Sequence, residues 1–269
     1  MVNVIKALGQ KEPFSEIKVR NSIRRAGIPQ EMQEEVLKHV KTKIYENIHT
    51  SEIYKHIIEF LEVSPQPFNK TKYRLKQAIM DLGPTGYPFE DYVAEILKTK
   101  GYQTQVRQIL EGKCVSHEID IIAEKDGQKI LIEAKFHNSP GTRSDVHVSL
   151  YTKARFEDLK QKHSFTHAML VTNTKITSDA LSYANCEEVK VLSWSYPDGG
   201  SLRELVDKHK LYPVTQLPFL SFSQKQELLN NNVVLIKQIC ENPNLLNQIT
   251  IPKNKREEII KEAKSVCGY

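Results

Sequence analysis

Apolar residues recur every three to four positions from Ile17 to Leu61, every second position from Ile119 to Ala134, and every three to four again beyond Leu217. The first and last patterns predict helices and the middle one predicts strands. Met1 to Ile5 reads as a short strand. Ser15 is a candidate N-cap for a helix carrying Ile17, Val19, Ile23 and Ala26, with Gly27 as its stop. A second helix is expected over 31–45. A third opens at Thr50 with Ile53, Ile57, Ile58 and Leu61 on one side, and a fourth begins near Asn69. After the Gly83-Pro84 turn, Pro88 suits the first turn of a helix whose stripe is Phe89, Val93, Ile96 and Leu97. Glu90 aligns with Ala94 and Leu97, so it leans inward. Strands over Thr104–Leu110, Phe165–Val171 and Val189–Trp194, with a helix over Ser178–Ala184, complete a mixed sheet flanked by helices. From 201 onward only helical patterns remain.

The alternating stretch contains Asp126-Gly127, the dipeptide suited to a two-residue hairpin turn with positive φ at both centres. That loop places Ala123 opposite Ile130, Ile121 opposite Ile132 and Ile119 opposite Ala134, an apolar face that must be buried. On the other face Glu124 meets Lys129, Ile122 meets Leu131, Asp120 meets Glu133 and Glu118 meets Lys135. Two carboxylates directly opposite would stand about 5 Å apart at Cβ and repel. Such a pair calls for a cation, and a hard divalent ion such as Mg²⁺ or Mn²⁺ takes oxygen ligands. Lys135 follows Glu133 by two and shares its side of the strand. Removing either acid is therefore expected to leave the fold intact or slightly more stable.

The chain of 269 residues has room for two or three domains, and its balance of 39% hydrophobic and 26% charged residues is that of a soluble globular protein. A net charge of +5 is compatible with a nucleic-acid partner. Cys114, Cys186, Cys240 and Cys267 are scattered, with no C-x-x-C, so a zinc ribbon or disulfide framework is not expected and a reducing, cytoplasmic setting is. No apolar run is long enough for a membrane span.

Asp120, followed by Glu133-x-Lys135 on the next strand, resembles the PD-(D/E)xK nuclease superfamily. F-E-x-x-V-A-x-I-L-x-x-x-G-Y, then I-D-I-I-A, then I-E-A-K resembles its Mrr-type restriction endonuclease branch. The resemblance implies a catalytic set of Glu90, Asp120, Glu133 and Lys135, with Asp120 and Glu133 holding the metal. The branch often carries a glutamine on the helix after E-x-K. His147 stands in that region, as a substitute or as a plain surface histidine. Lys153, Arg155 and Lys160 face DNA phosphate or simply solvent.

The ordered run V-I-K-x-x-G-x-x-E-P-F-x-x-x-K, S-I-R-R-A-G, I-x-T-S-E-I and Y-R-L resembles the ATP-cone domain, a nucleotide-sensing module. It implies nucleotide contacts at Val4, Lys6, Glu12, Lys18 and Thr50. No G-x-x-x-x-G-K-[ST] occurs, so ATP or dATP would be an effector rather than a fuel. The tail resembles a tandem helix-hairpin-helix domain, with Ile251-Pro252-Lys253-Asn254-Lys255 at the hairpin. It would bind DNA backbone, or serve packing or oligomerisation.

These readings give an α/β chain, α+β overall. The expected modules are a helical ATP cone (1–82), a PD-(D/E)xK domain (83–200) and an all-helical tail (201–269). The function expected is a metal-dependent DNA endonuclease under adenine-nucleotide control, assembled as a homo-oligomer and suited to defence against foreign DNA. A nucleotide-sensing DNA-binding regulator with an inactive nuclease fold is one alternative, and a repair or recombination nuclease another.

Overall fold

The computed structural model describes residues 2–7, 9–26, 28–63 and 67–268, and the chain divides into two compact units, Met1–Gln77 and Ala78–Tyr269. The first unit begins with β1 (Asn3–Ile5), β2 (Lys11–Pro13), α1 (Glu16–Arg25) and α2 (Gln30–Lys43). It continues with β3 (Ile48–His49) and α3 (Thr50–Glu62), and α4 (Pro67–Met80) leads out of it. The strands form a small sheet in the order β2-β1-β3, which the helical pattern did not announce beyond its first strand. The Ser15 hydroxyl accepts the Lys18 amide and caps α1 as expected; Gly27 lies outside the described residues. Ile53, Ile57, Ile58 and Leu61 are all buried, in one cluster with Ile23, Val36, Val40 and Ile48.

The second unit opens with α5 (Tyr87–Thr99), then β4 (Gln103–Glu111), β5 (Ser116–Lys125), β6 (Gln128–Lys135) and β7 (Arg143–Ser144). There follow α6 (Val146–His163), β8 (His167–Thr172), β9 (Lys175–Ile176), α7 (Ser178–Cys186) and β10 (Lys190–Leu192). Its sheet runs β10-β8-β6-β5-β4. β4, β5 and β6 are antiparallel neighbours, while β6, β8 and β10 are parallel and need the crossover helices α6 and α7. The fold is therefore α/β, with a mixed sheet between helices.

Asp126 and Gly127 have φ of 50° and 75°, as the two-residue turn requires. The pairs Lys125↔Gln128, Glu124↔Lys129, Ala123↔Ile130, Ile122↔Leu131 and Ile121↔Ile132 form as expected. There the ladder stops. Asp120 and Glu133 are not a cross-strand pair; the Asp120 carboxylate instead turns onto the Ala134 N–H, at 2.7 Å. The pairing with β4 also skips this point, running to Val106↔Ile121 and resuming at Gln108↔Ile119. Asp120 thus lies where the sheet opens on both sides. The polar face of the hairpin is not wholly solvated either. Ile122 and Leu131 pack under α6 through Leu159 and Phe156.

The tail contains α8 (Leu202–His209), α9 (Phe222–Asn230), α10 (Ile236–Glu241) and α11 (Lys253–Cys267). It shares one compact unit with the sheet. The Tyr92 hydroxyl donates to Leu211 O at 2.8 Å, Thr215 Oγ1 to Ala78 O at 2.5 Å, and Gln226 Nε2 to Gly83 O at 3.4 Å. Pro252 precedes α11 without capping it by a side chain. Against the cysteine expectation, Cys240 and Cys267 form a disulfide joining α10 to the end of α11. Spacing along the chain hid a closeness that the packing of those two helices creates, and it no longer argues for a reducing compartment. Cys114 and Cys186 are free and exposed. Among the described residues, no helix is long and apolar enough to cross a membrane.

Candidate functional site

One helix and two neighbouring strands carry the three acids. Glu90 sits in the first turn of α5 and is only 8% exposed, on the inward side that its spacing predicted. Asp120 comes from the open point of β5, and Glu133 from the end of β6. The Glu90 carboxyl is pushed up to about 7, by burial first and by the Asp120 charge second. Burial also raises Asp120, although the Ala134 N–H favours its charged form. Glu133 is raised by burial and then by Asp120, against the pull of Arg155 and Lys135. Glu90 and Glu133 thus each feel the charge of Asp120, so the structure gathers the three acids into one electrostatic cluster. Lys135 is exposed at the end of β6, and its charge acts on both Asp120 and Glu133.

Two arginines complete the arrangement: Arg107, which the sequence did not single out, and Arg155, expected only to face DNA phosphate or solvent. Arg107 lies in β4 at the point where its ladder with β5 breaks, with φ of 52°, a left-handed conformation that costs a bulky residue energy. Its guanidinium donates to Glu90 Oε2 at 3.2 Å and to Asp91 Oδ1 at 2.8 Å. Arg155, on α6, donates from Nη1 to Glu133 Oε2 at 2.5 Å. A sequence signal for Arg155 existed. It precedes the buried Leu159 by four residues and therefore shares its helix face. Lys153 and Lys160, the other two candidate phosphate contacts, pair with Glu157, and Lys153 also with Glu187. His147 is a surface residue against Asp145, its side chain 85% exposed. His117 Nε2 donates to Asp158 Oδ2 at 2.9 Å, and Asp158 also takes the amides of Cys114 and Val115 and so ties the β4–β5 turn to α6.

Among the described residues, no three acid, histidine or cysteine side chains stand close enough to enclose a metal ion on their own. Asp120 faces a backbone amide and Glu133 a guanidinium. Mg²⁺ does not require an all-protein cage, because it keeps several waters and takes one or two carboxylates plus substrate phosphate. Two half-buried carboxylates, each raised by burial, are hard oxygen donors, and they fit such an ion.

In the first unit, β1 and β2 pair Val4 with Glu12, and β1 and β3 pair Val4 with Ile48. Val4 is itself a core residue. Glu12 Oε2 takes both Lys6 Nζ, at 2.7 Å, and Lys18 Nζ, at 2.8 Å. Thr50 is the first residue of α3, directly after β3, the strand beside β1. The structure thus brings Lys6, Glu12 and Lys18 into contact and sets Val4 and Thr50 on neighbouring elements.

Three family profiles match the chain in succession. The ATP cone domain matches residues 2–75, a restriction endonuclease domain of the Mrr catalytic type residues 84–205, and an AF1548-like C-terminal domain residues 212–267. The chain is similar to an uncharacterized protein of Archaeoglobus fulgidus, with 36% identity over 177 residues, 65% of this chain and 100% of that protein. It is also similar to the crystal structure of a protein of unknown function, AF1548. The TM-score is 0.60 and the identity 36%, over 68% of this chain and 99% of that one.

Proposed function

The chain belongs to the same family as the Archaeoglobus fulgidus protein and carries a restriction-endonuclease-type domain behind an ATP cone; from that premise we propose that it is a metal-dependent endodeoxyribonuclease switched by ATP or dATP. The observation that carries this reading is the cluster of Glu90, Asp120 and Glu133, each with its carboxyl raised by burial, beside the exposed Lys135. Asp120 and Glu133 would hold Mg²⁺ or Mn²⁺. Bound there, the ion supplies charge to the phosphodiester and acidifies water. Lys135 positions the attacking water and balances the charge that develops on phosphate. Glu90, raised to about 7, exchanges a proton near neutral pH and can accept one from water at its carboxylate, or orient that water. Lys6 and Lys18 exchange Glu12 for the phosphates of the nucleotide, with Val4 and Thr50 at the edge of that site. The bound nucleotide then shifts domain packing or oligomeric state, and with it cleavage. Cleavage of foreign DNA in defence is a role this chemistry suits.

One observation favours a second reading, an inactive fold serving a nucleotide-sensing regulator. Arg155 already engages Glu133. A single experiment separates the two. The protein is incubated with supercoiled plasmid and with single-stranded DNA, in Mg²⁺, in Mn²⁺ and in excess EDTA, each with ATP, dATP or neither. Nicking or linearisation that needs the metal and disappears in Glu133→Gln is expected. Equal cutting in EDTA, or full activity of Glu133→Gln, rejects the site. No cleavage under any condition supports the regulator.

A further inference from the structure

Arg155 is packed on one face of α6 and has a donor to spare. Tyr151, Arg155 and Leu159 follow at four-residue spacing and line one face of α6. Leu159 is fully buried in the cluster with Ile122 and Leu131, which fixes the turn before it over the end of β6. The Arg155 guanidinium lies 4.4 Å from the Tyr151 ring centroid, and its side chain is 12% exposed. It has five N–H donors. One meets Glu133 Oε2, while its Nε is buried without a hydrogen-bond partner. A buried donor without an acceptor is costly, so this is a cation with donors left over for a further anion. The acid it donates to is a group that the metal would need.

We propose that Arg155 has two successive partners: Glu133 while the site is empty of metal, and a non-bridging phosphate oxygen of the DNA strand once a divalent cation takes Glu133. The inference rests on the reading of Asp120 and Glu133 as metal ligands. Guanidinium and metal then compete for one carboxylate. Arg155 lowers the affinity for metal alone and raises the affinity of the metal-loaded protein for DNA, because a forked guanidinium pairs well with phosphate. The two ligands are thereby coupled, and the coupling is reciprocal. The site would stay in its resting state when metal is present without DNA, and would close on both together. An arginine serving only to hold α6 on the sheet would give no such coupling.

The test measures binding rather than cleavage, on the full chain. Mn²⁺ is titrated calorimetrically into wild type, Arg155→Gln, Arg155→Lys and Glu133→Gln without DNA. Affinity of a short duplex is then measured in EDTA and in Ca²⁺. Removing one competing charge-assisted contact should tighten Mn²⁺ binding by Arg155→Gln about tenfold. The same variant should lose most of the gain in duplex affinity that Ca²⁺ gives wild type. Arg155→Lys keeps the charge and should hold Mn²⁺ as wild type does, which also guards against a glutamine variant that fails to fold. Equal or weaker Mn²⁺ binding by Arg155→Gln, with Glu133→Gln weakened, overturns the partner exchange and leaves the metal site standing. Tightening by Arg155→Lys equal to that of Arg155→Gln also overturns it, because charge would not then be what competes. Mn²⁺ binding unchanged in Glu133→Gln overturns the site reading and this inference with it.

Discussion

Glu12 in the first unit and Glu133 in the second are each held by cationic side chains, and they respond in opposite ways. Glu12 is 22% exposed, and its lysines, Lys6 and Lys18, are 41% and 62% exposed. Its carboxyl is lowered, first by the hydrogen bond from Lys18 and then by that from Lys6. Glu133 and Arg155 are 14% and 12% exposed, and the Glu133 carboxyl is raised, because burial outweighs the guanidinium. The chemistry is the same and the solvent differs. In water, an ion pair of this kind is screened and weak, so the lysines can leave Glu12 for a phosphate at little cost. Under α6, taking the charges out of water costs several kcal/mol, and for Glu133 its guanidinium does not offset that cost. The first site is arranged to lend its cations, and the second is short of them. That contrast supports reading the first as an anion site and the second as a metal site.

Direct attack on the second site has the largest expected effect. Asp120→Asn and Glu133→Gln should each lower plasmid cleavage by at least about a thousandfold, since each removes a candidate metal ligand. Their stabilities should part company. Asparagine still accepts the Ala134 N–H and removes a charge that repels Glu90 and Glu133, so Asp120→Asn should melt no lower than wild type. Glu133→Ala leaves Arg155 buried without its acid and should cost about 3–5 kcal/mol in urea unfolding. This revises the expectation, drawn from the hairpin alone, that both removals leave stability intact. Equal stability of the two variants would mean that Arg155 is not confined as the structure has it.

Titration separates the two sites by sign. The Glu90 carboxyl is raised from 4.5 to about 7, so the folded protein holds that proton more tightly than the unfolded chain. In EDTA, Glu90 should contribute a fall in stability on the order of 2–3 kcal/mol as pH rises from 4.5 to 7, and Glu90→Gln should lessen the slope by that share, while Asp120 and Glu133, also raised, keep the rest. Glu12, lowered, tilts the other way: its contribution is present above 4.5 and fades as pH falls below it. Urea midpoints of wild type, Glu90→Gln and Glu12→Gln across this range check both signs. A wild-type slope unchanged in Glu90→Gln would remove Glu90 from the buried cluster.

Lys6→Ala and Lys18→Ala should each weaken ATP or dATP binding by about 1.5 kcal/mol, the low end for a charge-assisted contact, because each lysine must first leave Glu12. Calorimetry on the full chain reads this directly. No heat with either nucleotide would sink the sensor reading and leave Lys6-Glu12-Lys18 as a surface cluster. The smallest effect belongs to Glu124 and Lys129, a pair at 3.1 Å near the turn of the same hairpin. Alanine at either should change stability by about 0.5 kcal/mol or less and leave cleavage unchanged. A large loss there would mean that charge anywhere on this face matters, and not the cluster.

Much was determined by local chemistry alone. Asp126-Gly127 set the turn, and the turn set the register of five pairs. The spacing of Phe89, Val93, Ile96 and Leu97 buried them and carried Glu90 inward with them. Ser15 capped α1, and Glu133-x-Lys135 stood at the end of β6 as read. All these depend on residues within a turn or two of each other, where periodicity and backbone preference act. Tertiary structure decided what distant segments do to one another. It ended the ladder before Asp120 could face Glu133, and it laid α6 over Ile122 and Leu131. It set Arg155 on Glu133 and Arg107 on Glu90, and joined Cys240 to Cys267. A side chain's partners across 22 or 27 residues of chain depend on how helices pack, and no period in the sequence encodes that. Whether a carboxylate is held in water, like Glu12, or under a helix, like Glu133, follows from the same packing.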